Sequence, residues 1–323
     1  MLSSRSGQTA VKYRAYAKIN LALSILGKRT DGYHEIGTLM VPVSLADVVS
    51  AEVAAQGLRV YCPGLPDLPQ EHNLAYKAAA ALLSGEPRVP GLAISVHKAI
   101  PPGKGLGGGS SDAAAVLLAI RDLREEMRER FGLSALMEVA AGLGSDIPFF
   151  IGANAKPPVW EAAVCIGRGE KVYPVKGGSF WIVLVLPEVE ILTRLAYSNW
   201  DEMHPDAPVF TSALDFEGAM AADPRLRDAV RAFASDDPED LARCLFNDFE
   251  KSVYPSYPGL SIIKENLLRS GALGAVLSGS GSAVYGICRS RGHAAKVRAS
   301  FLELSGDVPE RQVVIARTGV RVE

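Results

Sequence analysis

Apolar and polar residues alternate from Ala15 to Ile25. Ala15, Ala17, Ile19, Leu21, Leu23 and Ile25 fall on one side, and Tyr16, Lys18, Asn20, Ala22 and Ser24 on the other. A period of two predicts a strand with one apolar face. It also puts Lys18 and Asn20 together on the opposite face. Residues 27–32 read as a turn, 36–43 as a second strand, and 48–61 as looser strand. A helix is predicted over 72–83 and a strand over 91–98. Val116, Ile120, Leu123, Met127 and Phe131 recur at gaps of four, three, four and four, which is one apolar helical stripe. That stripe predicts a single helix of about five turns at 3.6 residues each, stopped by Gly132. A helix over 134–141, with Ser134 as its N-cap, ends at Gly142. Further on, 180–186 reads as a buried strand, and 224–234 and 237–245 as helices. Residues 258–269 are amphipathic through Leu260, Ile263 and Leu267, with Gly271 as a stop. Two short strands (275–277 and 283–288) and a last helix (292–304) complete the pattern. Strands and helices mix without strict alternation and without an internal repeat, which argues for α+β. Composition shifts at Lys156-Pro157-Pro158. The division is therefore predicted there, with domains over 1–158 and 159–323.

The strand over 91–98 leads into Pro101-Pro102-Gly103-Lys104-Gly105-Leu106-Gly107-Gly108-Gly109-Ser110-Ser111 and then an alanine run. Glycines let backbone N–H groups turn toward a ligand and let the chain approach it closely. Ser110 or Ser111 can cap the helix that follows. A glycine loop feeding a helix N-terminus presents free donors and a positive dipole end, which suits a phosphate, above all that of a nucleotide. The loop is not Gly-x-x-x-x-Gly-Lys-Ser/Thr, because Lys104 precedes most of the glycines. Gly103, Gly105 and Gly108 can be forced onto Gly-x-Gly-x-x-Gly, but no second strand ending in an acidic residue follows.

Composition narrows the partners. The 323 residues are 48 % hydrophobic, with a net charge of −2. That is enough for one large or two ordinary domains. No basic run stands out, so no nucleic acid is expected as a partner. No apolar run reaches the roughly 20 residues that span a bilayer, so no membrane is expected either. The first 14 residues hold cations and small hydroxyl residues but no secretory apolar core, and read as a ragged, disordered start. Cys62, Cys165, Cys244 and Cys288 are widely spaced. They form no zinc pattern and suit a reducing cytoplasm. Monomer and homodimer both remain open.

Three stretches in order carry a resemblance: Ala17-Lys18-Ile19-Asn20-Leu21, Pro101 through Ser111, and Leu277-Ser278-Gly279-Ser280-Gly281-Ser282. Together they resemble the motifs of the GHMP kinase superfamily, which includes galactokinase and the homoserine and mevalonate kinases. The resemblance implies a two-domain GHMP kinase fold: an N-terminal domain similar to ribosomal protein S5 domain 2 and a ferredoxin-like C-terminal domain, with the site between them. Two further stretches, Gly27-Lys28-Arg29-Thr30-Asp31-Gly32-Tyr33-His34-Glu35 and Gly144-Ser145-Asp146-Ile147-Pro148-Phe149-Phe150, look like one member in particular. That member phosphorylates the 2-hydroxyl of a methylerythritol carried on CDP (CDP-methylerythritol), in the non-mevalonate route to isoprenoid precursors. Sister kinases acting on homoserine or mevalonate, or a non-catalytic nucleotide-binding protein, are the alternatives.

On spacing alone, Asp146 reads as a turn aspartate or a base. Pro148 biases Ile147 toward extended backbone, which would keep the carboxylate on a loop. The resemblance makes Asp146 the base that takes the alcohol proton and makes Lys18 a catalytic cation beside it. Asn20 would donate to the substrate. Pro101, Gly103, Lys104, Gly105, Leu106, Gly107, Gly108, Gly109, Ser110 and Ser111 would bind ATP. Tyr33 would stack on the cytosine, His34 would hydrogen-bond to it, and Tyr197 would sandwich it from the other face. Gly279 and Ser280 would pack beside the glycine loop. Mg²⁺ is expected because it offsets triphosphate charge. Ser110 and Ser111 are candidate contributors to it, and the motifs name no acidic ligand.

Overall fold

The computed structural model describes residues 10–84, 91–123 and 125–319. Strands Ala10–Arg29 and His34–Ala54 pair antiparallel along most of their length. The predicted strands over 15–25 and 36–43 are parts of these long ribbons. Of the ragged start, residues 10–14 are strand, and 1–9 lie outside the described residues. The pair absorbs register shifts between Tyr16 and Ala17, Asn20 and Ala22, and Ile25 and Gly27. Such irregularities re-aim side chains beside functional sites, and here they bracket Lys18 and Asn20. Strands Leu58–Tyr61 and Gly91–His97 extend the same sheet.

Ala163–Gly167 and Lys171–Pro174 also belong to this first sheet. Ala163–Gly167 pairs with residues 36–40, and Lys171–Pro174 pairs with Ala163–Gly167. The sheet therefore runs past the division expected at 158/159. The change to the second sheet falls between Pro174 and Trp181. That sheet is antiparallel, in the order Ala275–Leu277, Val284–Cys288, Trp181–Val185, Val313–Arg317. The chain also returns to the first sheet, since Val209–Phe210 and Phe246–Asn247 pair with the opening strand.

Three apolar clusters make four layers. The first lies between the first sheet and helices Leu74–Leu83, Gly108–Leu123, Leu133–Leu143 and Ile147–Asn154. The second packs sheet on sheet, with Ile19, Leu21 and Val41 against Ile182, Leu184 and Tyr285. The third lies between the second sheet and helices Thr193–Met203, Pro258–Arg269 and Arg291–Leu304. The opening strand passes through all three. Its polar face is buried as well, with Lys18 4 % and Asn20 2 % exposed, because the second sheet covers Ile19 and Leu21 while the glycine loop and Asp146 lie against Lys18 on the other side. The alternation was read correctly, but the loop that covers the polar face comes from a distant part of the chain.

The expected five-turn helix is shorter. Gly108–Leu123 is buried nearly all round, and a separate short helix, Glu125–Arg130, carries Met127. Helix Leu133–Leu143 has Gly132, not Ser134, at its N-cap. Among the described residues, no helix is long and apolar enough to cross a membrane.

Candidate active site

The glycine loop turns through three residues with positive φ: Gly103, Gly105 and Gly107. Two of them cannot be replaced. A Cβ on Gly105 would lie 2.1 Å from the Ser278 carbonyl oxygen, and one on Gly107 would meet the Phe150 ring at 2.8 Å and Lys18 at 3.3 Å. The helix begins at Gly108, and its first backbone bond runs from Ser111 N–H to the Gly107 carbonyl (2.8 Å). The N–H groups of Gly108, Gly109 and Ser110 precede that bond and have no intrahelical acceptor, as an anion site requires. The serines lie inside the first turn and do not cap it. Ser111 is fully buried, and its hydroxyl accepts from Asn154 (2.9 Å).

Lys104 also departs from expectation. Its ammonium donates to the carbonyls of Glu188 (3.0 Å) and Val189 (2.9 Å), in the segment after the second sheet's strand Trp181–Val185. Burial lowers its pKa. It ties the loop to the C-terminal half. The third motif adds to that seam: the Ser278 hydroxyl donates to the Gly105 carbonyl (3.3 Å) and Ala283 N–H to the Lys104 carbonyl (3.2 Å).

Beside the loop, the Lys18 ammonium lies 3.7 Å from the Asp146 carboxylate and donates to Asn20 Oδ1 (2.7 Å). Asn20 Nδ2 donates to Thr38 Oγ1 (2.8 Å), which donates to the Ala22 carbonyl (2.7 Å). Asn20 thus braces Lys18, and one of its amide protons is already engaged. Asp146 occupies the N-cap position of helix Ile147–Asn154 but makes no capping bond, so its carboxylate stays turned to the lysine. Ile147 is helical rather than extended. A proline in the first turn loses no hydrogen bond there, and this outweighs its bias on the preceding residue.

The cavity between these groups holds about 690 Å³. Lys18, Asp146, Gly105 and Gly107 line one part, and Tyr33, His34 and Tyr197 another. Gly279 and Ser280 border it, with the Ser280 hydroxyl 2.9 Å from that of Thr193. Tyr33 is 53 % exposed, and the Arg168 guanidinium sits 4.9 Å from its ring centre. Tyr197 lies flat on His34, centroids 4.4 Å apart. The expected sandwich of Tyr33 and Tyr197 is therefore not the arrangement found, because each ring has a different neighbour. Sequence reasoning missed Arg168, Thr193 and Asp201 on the cavity wall. For Asp201 a signal existed: Tyr197, Trp200 and Asp201 are spaced as one helical face.

Behind the loop lies a buried ionic cluster. Lys98 donates to Asp47 and to Asp112 (2.6 Å). Asp47 also accepts from Ile100 N–H (2.8 Å). Asp112 Oδ1 is buried without a hydrogen-bond partner. Burial pushes the Asp112 carboxyl up to about 7, against the pull of Lys98. Among the described residues, no group of three His, Cys, Asp or Glu side chains could hold a metal ion.

Fold and loop together define a class. Residues 73–153 match the family described as GHMP kinases N terminal domain, and residues 229–304 match GHMP kinases C terminal. The fold is that of the GHMP kinases. A homoserine kinase structure from Cytophaga hutchinsonii shares it, with TM-score 0.71 over 99 % of this chain and 98 % of that one, at 18 % identity. A crystal structure of 4-(cytidine 5'-diphospho)-2C-methyl-D-erythritol kinase superposes with TM-score 0.73 at 30 % identity, covering 96 % of this chain and all of that one. The 4-diphosphocytidyl-2-C-methyl-D-erythritol kinase of Symbiobacterium thermophilum is 36 % identical over 92 % of this chain and 97 % of its own length. That of Syntrophotalea carbinolica is 38 % identical over 90 % and 93 %. The chain belongs to the family of 4-diphosphocytidyl-2-C-methyl-D-erythritol kinases.

Proposed function

We propose that this enzyme transfers the γ-phosphoryl group of ATP to the 2-hydroxyl of 4-diphosphocytidyl-2-C-methyl-D-erythritol. The observation that carries the reading is the Lys18–Asp146 pair, 3.7 Å apart, between the glycine loop and the aromatic end of one cavity. Phosphoryl transfer needs a positioned hydroxyl, charge stabilisation and a destination for the proton. Asp146 accepts the hydroxyl proton. Lys18 pairs with that carboxylate and favours the negative charge that develops on the transferred group. The hydroxyl oxygen bonds to phosphorus, the bond to the β-phosphate oxygen breaks, and ADP leaves. The N–H groups of Gly108, Gly109 and Ser110 hold the phosphates. The cytosine stacks on the exposed ring of Tyr33 and bonds to His34, with Tyr197 behind the imidazole. Mg²⁺ bound with ATP would offset the triphosphate charge, and Ser110, at the start of the helix, is the side chain placed to contribute to holding it, since no cluster of carboxylates stands there among the described residues. A coupled ADP-release assay offering the CDP-linked alcohol beside homoserine and mevalonate tests the reading.

A further inference from the structure

Helix Thr193–Met203 holds one imidazole from three sides. Tyr197, Trp200 and Asp201 are spaced i, i+3 and i+4, so they project from one face. Tyr197 stacks on His34 with an interplanar angle of 18°, and Trp200 meets it edge-on at 89°. The Asp201 carboxylate lies 2.8 Å from His34 Nε2. The ring is thus fixed in orientation by two aromatics and in one hydrogen bond by the acid. The Lys28 ammonium reaches the same Asp201 oxygen at 3.4 Å.

We propose that Asp201 is a positioning residue that sets the tautomer of His34, and through it makes the site select an amino-pyrimidine over a keto-pyrimidine. An ionised carboxylate can only accept a hydrogen bond, so the imidazole proton belongs on Nε2. Lys28, on the same oxygen, pairs with the carboxylate and offsets its charge. In that tautomer the lone pair is at Nδ1, which has no hydrogen-bond partner among the described residues and belongs to a side chain on the cavity wall. A lone pair accepts from the exocyclic amine of cytosine and opposes the O4 carbonyl of a uracil-type base. The selection rests on the proposed function. The tautomer does not.

Two measurements separate them. In ¹H–¹⁵N long-range spectra of the ligand-free protein, assigned with a His34→Gln control, His34 should carry its proton on Nε2. In Asp201→Asn, whose amide can donate as well as accept, that preference should be lost. A proton on Nδ1 in the wild type would overturn the proposal whatever the substrate. In kinetics, the kcat/KM preference for the CDP-linked over the UDP-linked alcohol should shrink about tenfold in Asp201→Asn, which is about 1.4 kcal/mol. The change should appear in KM for the pyrimidine substrate, with KM for ATP unmoved. Asp201→Glu, which keeps an acceptor, should restore part of the preference. An unchanged preference in Asp201→Asn would overturn the assignment, as would equal losses for both pyrimidines. A wild type inactive on both would overturn the proposed function, and the spectra would still decide the tautomer.

Discussion

At the scale of single residues, Lys18 and Asp146 carry the heaviest claim. Asp146→Asn keeps the shape of the side chain but not its basicity. It should bind both substrates and lower kcat by about 10²–10⁴, the range for losing a general base. A kcat within about threefold of wild type would remove Asp146 from that role. Lys18→Ala should be similarly slow. Because the two groups act as a unit, the double variant should lose less than the sum of the singles. Tyr33 is tested by a different readout. Stacking a base on an aromatic contributes about 1–3 kcal/mol, so Tyr33→Ala should raise KM for the CDP-linked substrate by about 5–150-fold. KM for ATP should hardly move, and Tyr33→Phe should be nearly silent. Equal damage to both substrates by Tyr33→Ala would mark it as structural.

At the scale of elements, the glycine loop and its helix are held from two directions. Lys104 ties the loop to the carbonyls of Glu188 and Val189. Lys104→Met should therefore cost about 1–3 kcal/mol of stability, the usual range for stranding polar groups. Its effect on ATP affinity should be small. Lost ATP binding at unchanged stability would return Lys104 to the phosphates. Under the helix, Asp112 has its carboxyl pushed up to about 7 by burial. A raised acid binds a proton in the folded state that the unfolded chain has already released. This contribution is fully present below pH 4 and is lost as pH rises toward 7. Asp112→Asn should flatten that decline in thermal-unfolding scans between pH 4 and 7. An equally steep decline would absolve Asp112.

Much of this was legible in the sequence, because local rules decide it. The glycine loop, the helices at Pro224–Ala234 and Pro258–Arg269 and the strand Ala275–Leu277 lie where periodicity and caps put them. Features decided by tertiary contacts were not legible. Lys104 looked like a phosphate ligand because nothing in its neighbourhood shows the carbonyls 84 and 85 positions away. Ser111 looked like a cap until Asn154 claimed its hydroxyl. Helix Thr193–Met203 went unread because its apolar face is built from Ala196, Tyr197 and Trp200 amid charged residues. Tyr197 was identified there, but its stacking partner was not.

At the scale of the molecule, the two sheets face each other across the second apolar cluster, and the site opens where their edges meet the loop. The Tyr285 hydroxyl donates across that seam to the Asn20 carbonyl (2.8 Å), two residues from Lys18. The loop, the lysine strand and the third motif thus share one frame, while helix Thr193–Met203 brings the aromatic wall. This division predicts two subsites at the ends of the one cavity: one for the triphosphate near the glycine loop, one for the pyrimidine near Tyr33. The measurement that tests the whole account most directly is ADP release from ATP with each candidate alcohol supplied alone, CDP-linked methylerythritol, homoserine or mevalonate. The account predicts turnover with the CDP-linked alcohol, competitive inhibition by CMP or CDP against that alcohol but not against ATP, and no comparable turnover with the other two. Equal or greater turnover of homoserine or mevalonate, or CDP competing with ATP, would contradict it.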